Sequence, residues 1–268
     1  MNCPVITISR TETIGIIDSG VGGLSVANGL IHLLPSHNFV YVADAAHLPY
    51  GQKSTEYLIE RASRITKFLE NQGIGTIVVA CHTLSATALP FLKELFPHIQ
   101  YIDLVPPTID QALHNTKNKK IGIMATSATI ASNLHKKLLL QADNSVEVFE
   151  QACPLFVQLI EQRATTDQLI PAIYTYLQPL LDEHVDTIIL GCTHYPFIQR
   201  LLEEAAPQIT FISAANAFPH FTTEKSEAPV KTNVHFVTTA SREYVAQAIA
   251  AYFKPTNSCI ITYKAEAI

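Results

Sequence analysis

Two cysteines end apolar runs that resemble each other. Cys81 ends the run TIVVAC, and Cys192 ends the run TIILGC. A third reactive side chain, Asp18, ends the apolar run IGIID. In open α/β sheets, ligands bind beyond the carboxyl ends of the strands. The pattern therefore predicts that these three side chains meet at one site.

Two thiols on opposite sides of a cleft are suited to inverting a carbon centre. The reaction needs a base that removes a proton from one face and an acid that returns a proton to the other. A thiolate and a thiol can exchange these roles. The thiolate requires a lowered pKa, which the N-terminus of a following helix favours. We expect Asp18 to assist proton transfer at Cys81. His194, two residues after Cys192, is expected to assist proton transfer at Cys192.

Other chemistry fits the spacing less well. The chain has five cysteines and no CxxC pair, which weakens a zinc site and a dithiol redox site. No resolving cysteine lies near either thiol in sequence, which disfavours a redox sensor. Cys3, Cys153 and Cys259 are expected to be structural. We predict neither a metal nor a cofactor.

The glycines of the segment DSGVGG, residues 18–23, invite comparison with a dinucleotide site. Their pattern is GxGG and not GxGxxG, and even the full motif is a weak signal when it stands alone. We favour a tight turn between a strand and a helix, whose backbone amides face a carboxylate.

The elements that must position these residues alternate along the chain. Short runs are apolar throughout, as expected of strands covered on both faces. The clearest helix is Ser54–Asn71, with Ser54 as its N-cap. This alternation predicts an α/β fold with mostly parallel sheets flanked by helices. The predicted strands are Ile14–Asp18, Phe39–Ala43, Thr76–Ala80, Tyr101–Val105, Ile121–Ala125, Val146–Phe149, Thr187–Leu190 and Val234–Val237.

The chain also repeats itself in part. The run IGII at Ile14 recurs as IGIM at Ile121, and TIVVAC recurs as TIILGC, in the same order. Buried strands often resemble one another, yet two matches in order favour two similar α/β domains with the active site in the cleft between them.

The domain boundaries are predicted from the proline pair that follows Val105 and from a return crossing near Ala214–Phe218. Residues 1–105 with 215–268 would form a first domain that carries Asp18 and Cys81. Residues 106–214 would form a second domain that carries Cys192 and His194.

Composition restricts the class of protein. Of 268 residues, 48% are hydrophobic and 15% are charged, which is enough apolar material for a substantial core. The net charge of −5 disfavours a nucleic-acid partner or an anionic membrane surface. No segment reads as a membrane span or a signal peptide, and the unpaired cysteines suit a reducing cytoplasm.

Four motifs together resemble the glutamate racemase family of the aspartate/glutamate racemase superfamily. They are DSGVGGL at residues 18–24, LPYG at 48–51, ACHT at 80–83 and LGCTHYP at 190–196. The segment CPLFV at 153–157, with Glu161 just after it, is also similar to a family segment. The likeness spans roughly residues 14–212, with a looser match over 236–253.

The resemblance implies cofactor-free interconversion of L- and D-glutamate, which supplies D-glutamate for peptidoglycan. It implies that Cys81 and Cys192 are the two acid/base residues, assisted by Asp18 and His194, with Glu161 a further candidate. It also implies a set of residues that hold the substrate's amino and carboxylate groups: Ser19, Tyr50, Gly51, Thr83 and Thr193, with Asp18, His82 and His194 beside them. For the hydroxyl residues the alternative is helix capping, and for Tyr50-Gly51 it is a simple turn.

His82 departs from the family pattern, which usually has Asn after the first catalytic cysteine. We expect its ring to line the cleft. A neutral ring could replace some of the Asn hydrogen bonds, whereas a protonated ring would attract substrate carboxylate and make turnover steeper in pH near neutrality.

This departure leaves alternatives open. One is a racemase of another amino acid, such as aspartate. Another is a family member with weakened catalysis and a binding role, because some glutamate racemases also inhibit DNA gyrase. A homodimer is expected from the resemblance.

Overall fold

The structure is a computed structural model that describes residues 6–9, 12–219, 221–222, 232–254 and 259–268. Cys3 lies outside the described residues. Two parallel sheets with helices on their faces form the molecule, so the predicted α/β class is confirmed.

The larger sheet, called the large sheet below, has six strands, and all of its pairings are parallel. Across the sheet the strands are Cys259–Ala265, Thr232–Thr238, Asn38–Ala43, Thr13–Asp18, Thr76–Val79 and Gln100–Asp103. The smaller sheet, called the small sheet, has four parallel strands in the order Glu147–Ala152, Lys120–Ala125, Thr187–Gly191 and Thr210–Ser213. Ile6–Thr7 and Phe221–Thr222 form a separate two-stranded pairing.

The repeat seen in the sequence corresponds to a repeated strand order. Thr13–Asp18 lies between Asn38–Ala43 and Thr76–Val79, and Lys120–Ala125 lies in the same way between Glu147–Ala152 and Thr187–Gly191. The strands that precede Cys81 and Cys192 therefore occupy equivalent places in the two sheets.

Both sheets are covered on both faces, which explains their apolar strands. In the strand Thr13–Asp18, Ile16 packs into a core with Leu24 and Phe236, whereas its neighbour Ile17 packs on the opposite face with Leu58. The small sheet divides its core in the same manner, with Ile188 and Ile189 in different clusters.

The helix Thr55–Glu70 follows its predicted limits. Ser54 is the N-cap, and its Oγ accepts the Tyr57 backbone N–H at 3.3 Å. The other α-helices are Leu24–Leu33, His82–Thr87, Leu89–Leu95, Val105–Asn115, Ser127–Ala131, Leu134–Ala142, Pro154–Glu161, Thr166–Asp182, Gln199–Ala205 and Arg242–Tyr252. Short 3₁₀ turns cover Ala45–His47, Tyr50–Gln52 and Tyr195–Ile198.

Some elements differ from the prediction. The proline pair after Val105 stands in the first turn of the helix Val105–Asn115, a position that tolerates proline because its N–H has no helical partner. This helix packs against the small sheet through Val105 and Ile109. The strand Glu147–Ala152 is longer and more exposed than predicted because it forms an edge of the small sheet. Among the helices of the described residues, none is long and apolar enough to cross a membrane.

Candidate active site

The three predicted reactive residues stand at the carboxyl ends of strands. Asp18 is the last residue of the strand Thr13–Asp18. Cys81 follows the strand that ends at Val79 and is the N-cap of the helix His82–Thr87. Cys192 directly follows the strand Thr187–Gly191, but a short 3₁₀ turn comes next in place of the expected α-helix.

Both cysteines line one cavity. The walls are Ser19, Tyr50, Gly51, Cys81, His82, Thr83, Thr126, Val157, Cys192, Thr193 and His194. All of the predicted substrate-binding residues except Asp18 are in this set. Asp18 and Glu161 lie behind the wall and reach it through hydrogen bonds. The cavity receives residues from both sheets, so neither sheet could form it alone.

Asp18 is fully buried and bonded on both carboxylate oxygens. Oδ2 accepts the backbone N–H groups of Gly20 and Gly23 at 3.1 and 2.9 Å, and Oδ1 accepts the Thr193 hydroxyl at 3.0 Å. Burial raises the pKa of Asp18, while the charge of His194 and these hydrogen bonds oppose the rise. Two amides of the glycine turn thus bind the carboxylate of the turn's own Asp18.

Cys81 is held in its protonated form. Burial raises the pKa of its thiol to about 12, and the negative charge of Asp18 adds to the rise. Backbone N–H groups of Leu84 and Thr83 act in the opposite direction, as expected for a sulfur at a helix N-terminus. The rise dominates, so Cys81 is a thiol in this geometry.

Cys192 has a basic neighbour, whereas the charged neighbour of Cys81 is the acidic Asp18. Its Sγ lies 3.8 Å from Nδ1 of His194, and Nε2 of His194 lies 2.7 Å from Oε1 of Glu161. Burial alone would lower the pKa of His194, but its hydrogen bonds with Cys192 and Glu161 outweigh burial and raise it to about 10. A protonated imidazole next to a sulfur stabilises negative charge on that sulfur.

Glu161 links Cys192 and His194 to residues on the large sheet's side of the molecule. Its Oε1 also accepts the Val21 backbone N–H at 3.4 Å, and Oε2 accepts the Tyr244 hydroxyl at 2.9 Å. Burial raises the pKa of Glu161, but these bonds and His194 outweigh it, so the net shift is downward and Glu161 is a carboxylate.

His82 lines the cavity, as predicted, in its neutral form. Its Nδ1 lies 2.9 Å from Nε2 of His135, and the two rings stack with centroids 5.1 Å apart. Burial and the neighbouring His135 hold the pKa of His82 well below its usual value. Of the two alternatives for this ring, the surroundings favour the neutral one.

Hydroxyl groups form another part of the wall. Thr83 Oγ1 lies 3.0 Å from Thr126 Oγ1 and 3.2 Å from Thr129 Oγ1. Thr193 Oγ1 donates to Asp18. The hydroxyls of Thr83 and Thr193 are thus committed to partners across the cleft, which argues against the helix-capping alternative for both residues.

Tyr50 is fixed from behind by a buried ion pair. Its hydroxyl donates to Oδ2 of Asp44 at 2.5 Å, and Arg61 binds both oxygens of Asp44 at 2.9 and 2.8 Å. Tyr50 and Gly51 begin a 3₁₀ turn and also line the cavity, so the turn is part of the site.

The other two cysteines of the described residues, Cys153 and Cys259, do not line the cavity. Cys153 is buried, and its Sγ donates to the Gln151 carbonyl at 3.4 Å, whereas Cys259 is half-buried on an edge strand. Within the part of the chain that the structure describes, no group of three or more His, Cys, Asp or Glu side chains is placed to hold a metal ion.

Comparison with known proteins decides the family. The model of the Asp/Glu/hydantoin racemase family matches residues 14–218, most of the chain. The chain belongs to this family. The prediction of an isomerase is thereby confirmed at the level of the family.

Individual relatives of this racemase agree with the family. A glutamate racemase of Pseudomonas aeruginosa is 42% identical over 206 residues, covering 74% of this chain and 75% of the relative. The crystal structure of glutamate racemase isoform RacE1 from Bacillus anthracis has a TM-score of 0.84 at 29% identity, covering 97% of this chain and 98% of that one. An Escherichia coli glutamate racemase in complex with L-glutamate and the activator UDP-MurNAc-Ala has a TM-score of 0.74 at 25% identity, covering 95% and 98%.

Sequence reasoning missed several residues of the candidate site. Thr126 directly follows the strand Lys120–Ala125, and it is equivalent in the repeat to Ser19, so the repeat could have indicated it. Asp44, His135 and Tyr244 carry no such signal. They reach the site only through contacts between distant segments.

Proposed function

We propose that this racemase interconverts L- and D-glutamate by proton transfer between Cys81 and Cys192. The observation that carries the proposal is that both thiols line one cavity, each at the end of an equivalent strand of its own sheet. An α-carbon between two such groups can lose its proton to one sulfur, which leaves a planar carbanion, and can then gain a proton from the other sulfur on the opposite face.

The two thiols would start the reaction in different forms. Cys192 has His194 beside it and Glu161 behind it, an arrangement that favours a thiolate able to remove the α-proton. Cys81, with its raised pKa, would hold the proton to be delivered to the other face. In the reverse direction the roles exchange.

The donors around the cavity would hold the amino acid and stabilise the carbanion. Candidate donors are the hydroxyls of Ser19 and Thr83, with Tyr50, Gly51 and His82 completing the contacts. The Thr193 hydroxyl already donates to Asp18, so it would accept a hydrogen bond from the amino group of the substrate. Such groups stabilise developing charge most strongly when they are fixed before the reaction. The bonds of Thr83 to Thr126 and of Tyr50 to Asp44 fix two of them.

Glutamate is favoured as the substrate because relatives about 40% identical are glutamate racemases. The direct test offers the purified protein L-glutamate and, separately, L-aspartate in heavy water. Circular dichroism would follow the loss of optical activity, and NMR would detect deuterium at the α-carbon. Loss of rotation with L-glutamate is expected, and activity with L-aspartate alone would contradict the choice of substrate.

Several wider expectations rest on the family resemblance. We propose that the enzyme supplies D-glutamate for peptidoglycan in the cytoplasm, acts as a homodimer and requires no added cofactor. We also propose that the chain divides into residues 1–105 with 215–268 and residues 106–214. Complementation of a D-glutamate auxotroph would test the role in the cell, and light scattering would test the dimer.

A further inference from the structure

A pair of buried histidines joins the two halves of the active site. His82 is the first residue of the helix His82–Thr87, directly after Cys81, and His135 is the second residue of the helix Leu134–Ala142. His135 Nε2 also lies 3.7 Å from the position that a Cβ on Gly191 would take, next to Cys192. The hydrogen bond of 2.9 Å between the rings thus connects the surroundings of both thiols.

Both rings are neutral for reasons of geometry. Each stands in the first turn of a helix, where the partial positive charge of the exposed backbone N–H groups opposes a second positive charge. Both are at least 98% buried, with exposed fractions of 2% and 1%. Burial lowers the pKa of His135 to about 4, in agreement with this placement.

Because both rings are neutral, only one proton lies in the hydrogen bond between them. The ring that carries this proton determines whether Nε2 of His82 is a donor or an acceptor. Among the described residues, His82 Nε2 has no partner and is buried, while Nδ1 is engaged by His135. If His135 Nε2–H donates to His82 Nδ1, then His82 carries its proton on Nε2. If His82 Nδ1–H donates instead, Nε2 can only accept.

We propose that His135 is a positioning residue that donates to His82 Nδ1 and thereby makes His82 Nε2–H a donor for a carboxylate of the amino-acid substrate. A carboxylate accepts hydrogen bonds and cannot donate them, so it selects this tautomer over the other. His82 lines the cavity with Cys81 and Thr83, and Nε2 is its ring atom left for a ligand. The inference rests on the proposed racemisation and adds to it a pair of residues that selects for carboxylate.

The test compares two substitutions at His135 with a control. His135→Phe keeps a stacking ring but removes the donor that fixes the His82 tautomer and leaves His82 Nδ1 buried without a partner. The bond from His82 to the carboxylate should weaken, so KM for glutamate should rise about tenfold with a smaller change in kcat. His135→Gln restores an amide donor and should bring KM back towards the wild-type value. The matched control is His37→Phe. His37 is also buried, but it precedes the amino end of the strand Asn38–Ala43, whereas the cavity lies at the carboxyl ends of the strands.

NMR of ¹⁵N-labelled histidine in the wild-type protein gives a readout that does not depend on any variant folding. With glutamate bound, the His82 signals, assigned by their loss in His82→Gln, should show the proton on Nε2. A proton on Nδ1, or equal KM values for wild type and His135→Phe in an active enzyme, would overturn this inference alone. Failure of the wild type to exchange the α-proton of glutamate would overturn the proposed function as well.

Discussion

At the scale of single residues, the two thiols differ in their charged neighbours. Asp18 and burial keep Cys81 protonated, whereas His194 and Glu161 favour negative charge at Cys192. In the proposed mechanism, an acid and a base of the same residue type would thus be distinguished by their surroundings. The charge of His194 is the part of this arrangement that a single substitution can change.

Glu161→Gln should move the alkaline limb of the pH–rate profile to lower pH. The pKa of His194 is raised to about 10, so the wild-type imidazole stays protonated below that pH. Without the carboxylate, the proton leaves at lower pH, by about one unit or more, and the thiolate loses its counter-charge. The measurement is kcat/KM for glutamate between pH 6 and about pH 10.5, a range set by the ordinary and raised values.

Glu60→Gln is the control for this profile. Glu60 pairs with Arg64 on an exposed helix face, with its side chain 57% exposed. The pH–rate profile of Glu60→Gln should match that of the wild type. An unshifted alkaline limb in Glu161→Gln would mean that Glu161 does not set the protonation of His194.

At the scale of elements, the site depends on two turns that approach closely. A Cβ on Gly22 would lie 2.5 Å from both His194 Nδ1 and Thr193 Oγ1, and 2.8 Å from the His194 backbone nitrogen. The turn after the strand Thr13–Asp18 can therefore reach the Cys192 segment only because residue 22 has no side chain.

Gly22→Ala should lower kcat/KM about a hundredfold, because a displacement of roughly 1 Å at the reacting groups has an effect of this size. Gly75→Ala is the matched control, since its nearest atom would be the Glu12 Oε1 at 3.7 Å, an ordinary contact. Thermal unfolding of both variants would separate loss of activity from loss of fold. Wild-type kinetics in Gly22→Ala would show that this close approach is not needed.

The helix Thr55–Glu70 offers a second test at this scale. Arg61 on its buried face binds Asp44, which accepts the Tyr50 hydroxyl. Arg61→Ala leaves a buried carboxylate without its cation and should lower the free energy of unfolding by about 3–5 kcal/mol. Arg64→Ala, which breaks the exposed pair with Glu60 on the same helix, should cost about 0–1 kcal/mol.

Urea denaturation would measure both effects. Equal, small losses of stability in the two variants would contradict the view that the Asp44–Arg61 pair supports the wall of the site.

Most of the strands that could be predicted from the sequence are more deeply buried than those that could not. The eight predicted strands were found because most are covered on both faces and read as continuous apolar runs. Two edge strands were missed. None of the residues of Cys259–Ala265 is fully buried, and Thr210–Ser213 begins with an exposed residue. Cys81 and Cys192 were predictable from a local pattern, whereas the partnership of His82 with His135 depends on distant segments.

At the scale of the whole molecule, the active site exists only when the two sheets face each other. Hydrogen bonds join the two sides at Asp18 with Thr193, at Thr83 with Thr126, and at Tyr244 with Glu161. Each sheet supplies one thiol and part of the wall. A reaction that needs both faces of one carbon atom therefore needs the whole molecule.

The most direct test of the two-thiol account is racemisation by single-cysteine variants. Cys81→Ser and Cys192→Ser would each be given L- and D-glutamate in heavy water, with optical rotation and α-deuteration followed together. A hydroxyl is far too weak an acid to replace either thiol, so racemisation should fall about 10²–10⁴-fold in both variants. Cys259→Ser, on an edge strand away from the cavity, should keep wild-type activity. Near-wild-type racemisation by either site variant would contradict the account.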